Sequence, residues 1–135
     1  MPVFRVSKDD GDDLGFALSC LFAKAITRAE FTAWVYWVIE HAEHDLPAFF
    51  FELDDFGPYL KDIYAAVGFV PSSDVTDAER GALEAIGLRR GLAAPTAESI
   101  HAGERLSPDR AEVCLAENPH IDARFRSAFP FLQPV

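Results

Sequence analysis

Cysteine is scarce in this chain, with only Cys20 and Cys114 among 135 residues. Their spacing suits neither a zinc knuckle nor a redox pair, and two thiols make no disulfide scaffold. Both read as small buried apolar groups in a reducing compartment. Positive charge is in short supply too, with 12 basic residues against 22 acidic ones and a net charge of −10. An excess of that sign repels phosphate backbones and anionic lipid headgroups, which disfavours nucleic-acid and membrane partners. No apolar run approaches the roughly 20 residues of a spanning helix. The stretch from Met1 to Lys8, followed by acids, has no apolar signal core. The expectation is a soluble cytoplasmic protein. Internal repeats and low-complexity segments are missing, as is any β-branched alternation long enough to demand a sheet.

Catalytic and cofactor signatures are missing as well. No glycine-rich phosphate loop is present, no serine lies in a nucleophile elbow, and His41, His44, His101 and His120 have no triad context. The run Glu40-His41-Ala42-Glu43-His44-Asp45 has the letters of a metal site, but its histidines are three apart. The metalloprotease helix places them four apart, with glutamate directly after the first. A solvated helix C-terminus, where histidine complements the dipole, accounts for the same residues. The acidic start Asp9-Asp10-Gly11-Asp12-Asp13 fits no register of the twelve-residue calcium loop, which needs glycine sixth and glutamate twelfth. Glu52 and Asp54-Asp55 are candidate paired carboxylates, for which simple exposure beside a core helix is the stronger reading. The chain is therefore expected to be no enzyme and to hold no metal or cofactor.

What the chain has in abundance is aromatic residues, concentrated in one block. Eleven of its seventeen aromatics lie between Phe31 and Pro71, among them both tryptophans and all three tyrosines, with Glu40, Glu43, Asp45, Glu52, Asp54 and Asp55 threaded through them. Aromatic bodies bury large areas, so the block should build the core of a small domain, with the acids left at its solvated edge. The charge is lopsided in the same direction: residues 1–70 carry net −7 and residues 71–135 net −3. At 135 residues the chain has the size of one domain.

Helical signals recur along the chain. Acids at 9–13 precede an apolar stretch, which predicts a first helix over about 13–26. Thr27-Arg28-Ala29-Glu30 has the form of a capping box and opens a second helix running to about Glu43. Trp34 through Ile39 is apolar at every position, so this helix should be covered on most sides or on a partner. Pro47 suits the first turn of a short third helix carrying Phe49, Phe50, Phe51 and Leu53, for which a strand is the competing reading. Tyr59 to Val67 keeps helical spacing up to Gly68. Thr76-Asp77-Ala78-Glu79 is a second capping box, opening a helix with Gly87 as its weak point and Gly91 as its stop. Residues 92–106 read as loop with one turn near 97–101. Ser107-Pro108 then starts a helix that Asn118-Pro119 ends, and a last short helix follows over about 122–128. The predicted fold is all-α, a single compact domain over residues 1–135 with five to seven helices around an aromatic-rich central helix.

The run Phe31-Thr32-Ala33-Trp34-Val35-Tyr36-Trp37-Val38-Ile39-Glu40, followed by Leu46-Pro47, Phe51-Glu52-Leu53-Asp54-Asp55-Phe56, Leu60-Lys61-Asp62-Ile63-Tyr64 and Val67-Gly68-Phe69-Val70-Pro71, resembles the small bacterial immunity proteins. These are the cytoplasmic partners that neutralise toxin domains in contact-dependent growth inhibition and related systems. The resemblance covers about forty residues and none of residues 72–135, and it transfers no contact residue. It implies inhibition by binding: an acidic domain capping a basic toxin, such as a nuclease, whose cationic surface for phosphate it would match. The acids expected to meet such a partner are Glu43, Asp45, Glu52, Asp54 and Asp55, with Asp10, Asp12 and Asp13 as second choice. The alternative is a non-catalytic helical adaptor or homo-oligomerising module, in which helix two meets another copy.

Overall fold

Caps and turns set the boundaries of nearly every element. The computed structural model describes residues 4–7, 11–54, 62–68, 74–92 and 107–132. Among them are six α-helices: α1 (Asp12–Phe22), α2 (Arg28–His41), α3 (Ile63–Val67), α4 (Asp77–Arg89), α5 (Pro108–Glu117) and α6 (Pro119–Ala128). A 3₁₀ turn, Ala48–Glu52, lies between α2 and α3, and the described residues contain no strand. The fold class is all-α, as the sequence predicts. The chain divides into two compact units, one of residues 1–17 and 28–74 and the other of residues 18–27 and 75–135, so α1 begins in the first and ends in the second.

In the first unit the backbone carbonyl of Arg5 accepts the N–H groups of Asp13 (2.9 Å) and Leu14 (3.1 Å), and the Asp13 carboxylate accepts the Arg5 N–H at 2.7 Å. The extended segment thereby satisfies amides that the start of a helix leaves without partners. α2 begins directly after Thr27 and buries Phe31, Trp34, Val35 and Val38, a stripe at i, i+3, i+4 and i+7. Trp34 meets Phe31 and Phe50, each with ring centroids 5.7 Å apart. α2 ends at His41, two residues earlier than expected. Glu43, His44 and Asp45 are all exposed, so little burial would reward another turn.

The competition between helix and strand at 47–53 is decided for a 3₁₀ turn. Pro47 stands at its cap, and the Pro47 carbonyl accepts the Phe50 N–H at 3.0 Å. Side chains three apart eclipse in such a turn, so Phe50 and Leu53 go inward together while Phe51 is left outside. α3 closes on Gly68, whose φ of 87° is left-handed and whose N–H returns to the Tyr64 carbonyl. Tyr59 and Leu60, expected at the start of this helix, lie outside the described residues, as does the turn expected at 97–101.

In the second unit α1 stops at Phe22, four residues short of the predicted Ile26. Lys24 takes φ 62°, the Ala25 N–H bonds to Cys20 O and the Lys24 N–H bonds to Leu21 O. That pair of bonds is a Schellman motif, with lysine where glycine is usual, and its sequence signal is correspondingly faint. The same motif ends α4 with the usual residue: Gly91 has φ 72°, its N–H reaches Leu88 O, and the Leu92 N–H reaches Gly87 O.

α4 starts as predicted. Thr76 Oγ1 accepts the Glu79 N–H (3.1 Å) and Glu79 Oε1 accepts the Thr76 N–H (2.9 Å), a complete capping box. Every residue from Gly81 to Gly87 is buried, and α4 packs against α5 and α6. Gly87, expected to weaken the helix, is required there: a Cβ would stand 2.3 Å from the Lys24 carbonyl oxygen. Arg90 at the helix end donates from Nη1 to Ala25 O at 2.7 Å.

α5 opens on Ser107, whose side chain accepts the Arg110 N–H, with Pro108 in the first turn. Asn118 is at once the C-cap of α5 and the N-cap of α6, and its Nδ2 donates to Cys114 O. α6 therefore begins at Pro119, three residues before the predicted start. The proline that ends one helix is the first residue of the next, where its missing N–H has no cost.

Candidate interaction surface

The outer side of α2 sets the character of the first unit's surface. Opposite its buried stripe, Ala33, Tyr36 and Glu40 are exposed, and Tyr36 keeps 49 % of its surface in solvent. Helix two is thus covered along one stripe rather than on most sides. Two polar contacts tie Asp54, two residues after the 3₁₀ turn, to this face. The Tyr36 hydroxyl donates to Asp54 Oδ2 at 2.6 Å, and Thr32 Oγ1 donates to the Asp54 carbonyl at 3.3 Å. The hydrogen bond to Asp54, followed by its negative charge, raises the Tyr36 pKa. Asp54 follows Phe51 by three residues, and the chain stays in right-handed helical backbone through Leu53, so Phe51 rises on the same side as Asp54. Phe51 is 53 % exposed and Glu52 beside it is exposed. Tyr36 and Asp54 are thereby joined from separate segments, with exposed Phe51 and Glu52 in the turn that leads to Asp54.

The other acids singled out by sequence fall into distinct situations. Glu43 and Asp45 are exposed just beyond α2. Asp12 pairs with the Arg5 guanidinium at 3.3 Å, and Asp13 holds the Arg5 amide, so both serve the N-terminus of α1. Asp10 and Asp55 lie outside the described residues. Tyr36 and Phe51 were not among the candidates. The sequence marks them only as aromatic, and aromatic residues in a dense block read as core.

The histidines beside this surface are engaged in local structure. His41 lies flat on Trp37, with ring centroids 4.5 Å apart, and its Nδ1–H donates to Trp37 O at 2.8 Å, as suits a cation-compatible group at a helix C-terminus. His44 accepts the Phe4 N–H on Nε2 at 3.0 Å, while its Nδ1 faces Asp45 O at 3.1 Å. Among the described residues no group of three or more histidine, cysteine, aspartate or glutamate side chains could hold a metal ion.

In the second unit, His120 Nε2 meets Glu79 Oε2 and Arg89 clasps Glu112 through two bonds of 2.9 and 2.6 Å. Bonds from the Thr76 amide and from His120 hold the Glu79 pKa below the ordinary carboxylate value. Burial pushes the Cys20 thiol well up, against an opposing effect of Arg124, which makes it an unreactive packing group as expected. Cys114 is only half-buried.

No described helix is long and apolar enough to cross a membrane. No protein-family model, curated protein or solved structure matches the chain.

Proposed function

We propose that this chain is an immunity-type inhibitor that binds and neutralises a basic toxin domain, such as a nuclease, through the outer face of α2 and the 3₁₀ turn. The observation that carries the reading is the bond that joins exposed Tyr36 to Asp54, which follows a turn that leaves Phe51 and Glu52 in solvent. Amphipathic aromatics at the centre of a patch, with charge at its edge, are the composition of an anchoring surface steered by electrostatics. The net charge of −10 gives the steering its sign, and the aromatic–acidic text from Phe31 to Pro71 resembles immunity proteins.

The homo-oligomeric alternative is less well supported by this face. A two-fold contact would set the acids of one copy against those of another, a repulsive arrangement. The decisive experiment is co-production with the C-terminal domain encoded directly upstream. The reading expects that domain to be basic and toxic alone, harmless alongside this chain, and recovered with it as a complex. Continued toxicity, or a stable homodimer that leaves the domain unbound, would overturn it.

A further inference from the structure

We infer that His44 is a proton-operated latch for the N-terminal segment Phe4–Ser7. Its two ring nitrogens are committed to opposite roles: Nδ1 sits 3.1 Å from the Asp45 carbonyl, which can only accept, and Nε2 sits 3.0 Å from the Phe4 N–H, which can only donate. The neutral ring satisfies both only as the Nδ1–H tautomer. Adding a proton to Nε2 turns two partners into two donors facing each other, and the Phe4 amide loses its acceptor. That bond and the ring contacts hold Phe4 beside the end of α2, where the Phe4 ring stands edge-on to Trp37 at a centroid distance of 5.4 Å and tilted to His44 at 6.3 Å.

Arg5 and Val6 supply anchors that do not depend on an imidazole. Arg5 is held through its amide by Asp13 and through its guanidinium by Asp12, its carbonyl caps α1, and Val6 is buried. Release therefore pivots at Arg5 and uncovers the edge of Trp37 beside the candidate interaction surface. Among the described residues, the titratable groups at the C-terminal end of α2 and just beyond it are Glu40, His41, Glu43 and Asp45. Arg5, Asp12 and Asp13 are those on the segment and on α1.

Nitrogen-15 NMR of the full chain tests the latch. At neutral pH His44 should show the Nδ1–H tautomer, which is the minor form of a free imidazole. Exchange of the Phe4 amide, corrected for intrinsic chemistry, should speed up at least tenfold in step with His44 protonation. His44→Gln presents an oxygen where Nε2 lies and does not titrate, so it should keep the protection and abolish its pH dependence. An Nε2–H tautomer in the unmodified chain would overturn the latch. So would Phe4 protection indifferent to His44 protonation, or the same pH dependence in His44→Gln.

Discussion

Gly87 shows how much a single missing Cβ carries in this fold. The Lys24 carbonyl occupies the place a side chain would take, at 2.3 Å from an ideal Cβ, and backbone cannot swing aside as a flexible side chain can. Replacing Gly87 by alanine should lower the unfolding free energy by about 2–3 kcal/mol despite the gain in helix propensity, because overpacking outweighs the roughly 1 kcal/mol that alanine offers in a helix interior. Urea unfolding of Gly87→Ala measures it, and an unchanged or raised midpoint would refute the close approach. Lys24 predicts the opposite sign. A lysine held at φ 62° is strained by about 1–2 kcal/mol relative to glycine, part of which is offset by the greater freedom of unfolded glycine. Lys24→Gly should therefore stabilise by roughly 0.5–1 kcal/mol in the same assay. The sequence shows Gly87 as a weak helix residue because propensity is local, whereas the carbonyl it accommodates belongs to a residue 63 positions earlier in the chain.

At the scale of the element, caps decide where helices begin and how they respond to pH. Thr76→Ala removes the hydroxyl that accepts the Glu79 amide and should cost about 1 kcal/mol in urea or thermal unfolding. Glu79 completes the box and carries the pH dependence. Its folded-state pKa lies below the unfolded value, so its stabilisation is complete above the ordinary carboxylate range of about 4.3 and is lost as the pH falls through the folded value. Unfolding of Glu79→Gln beside the unmodified chain should show a stability gap near pH 7 that closes on acidification. A gap that persists at acid pH would show that the carboxylate charge is not its source. The Arg89–Glu112 pair, both of whose side chains are well exposed, should contribute no more than about 1 kcal/mol and weaken with salt. The Thr76–Glu79 box, Ser107-Pro108 and Gly91 were legible because each motif lies within a few consecutive residues. The end of α1 was not, since lysine rarely supplies the left-handed residue, and the start of α6 was hidden because Asn118-Pro119 closes one helix and opens another.

For the whole molecule the prediction concerns binding. In complex with a basic partner, Phe51→Ala and Tyr36→Ala should each weaken affinity by tenfold or more, chiefly through faster dissociation, as expected of aromatic anchors. Glu52→Lys should act mainly on the association rate and flatten its dependence on ionic strength. Stopped-flow association at several salt concentrations separates the two effects, and unchanged kinetics in all three variants would remove this face from the interface. Glu52 is a cleaner reporter than Asp54, because reversing Asp54 also breaks the bond from the Tyr36 hydroxyl. Circular dichroism of each variant confirms that the helices remain.

The sequence by itself determined the helical class, the position of most caps, the sign of the chain's charge and the aromatic-rich helix that carries Trp34. These follow from local hydrogen bonding, side-chain spacing and composition, which a linear reading contains. Only the tertiary structure decided which aromatics stay outside. Tyr36 and Phe51 are left in solvent because a helix shows one stripe to its core and a 3₁₀ turn eclipses Phe50 with Leu53, sending Phe51 the other way. It also separated acids that hold the chain together, such as Asp13, from acids such as Glu52 that face water. That division depends on which backbone amides folding brings within reach, and residue order does not encode it.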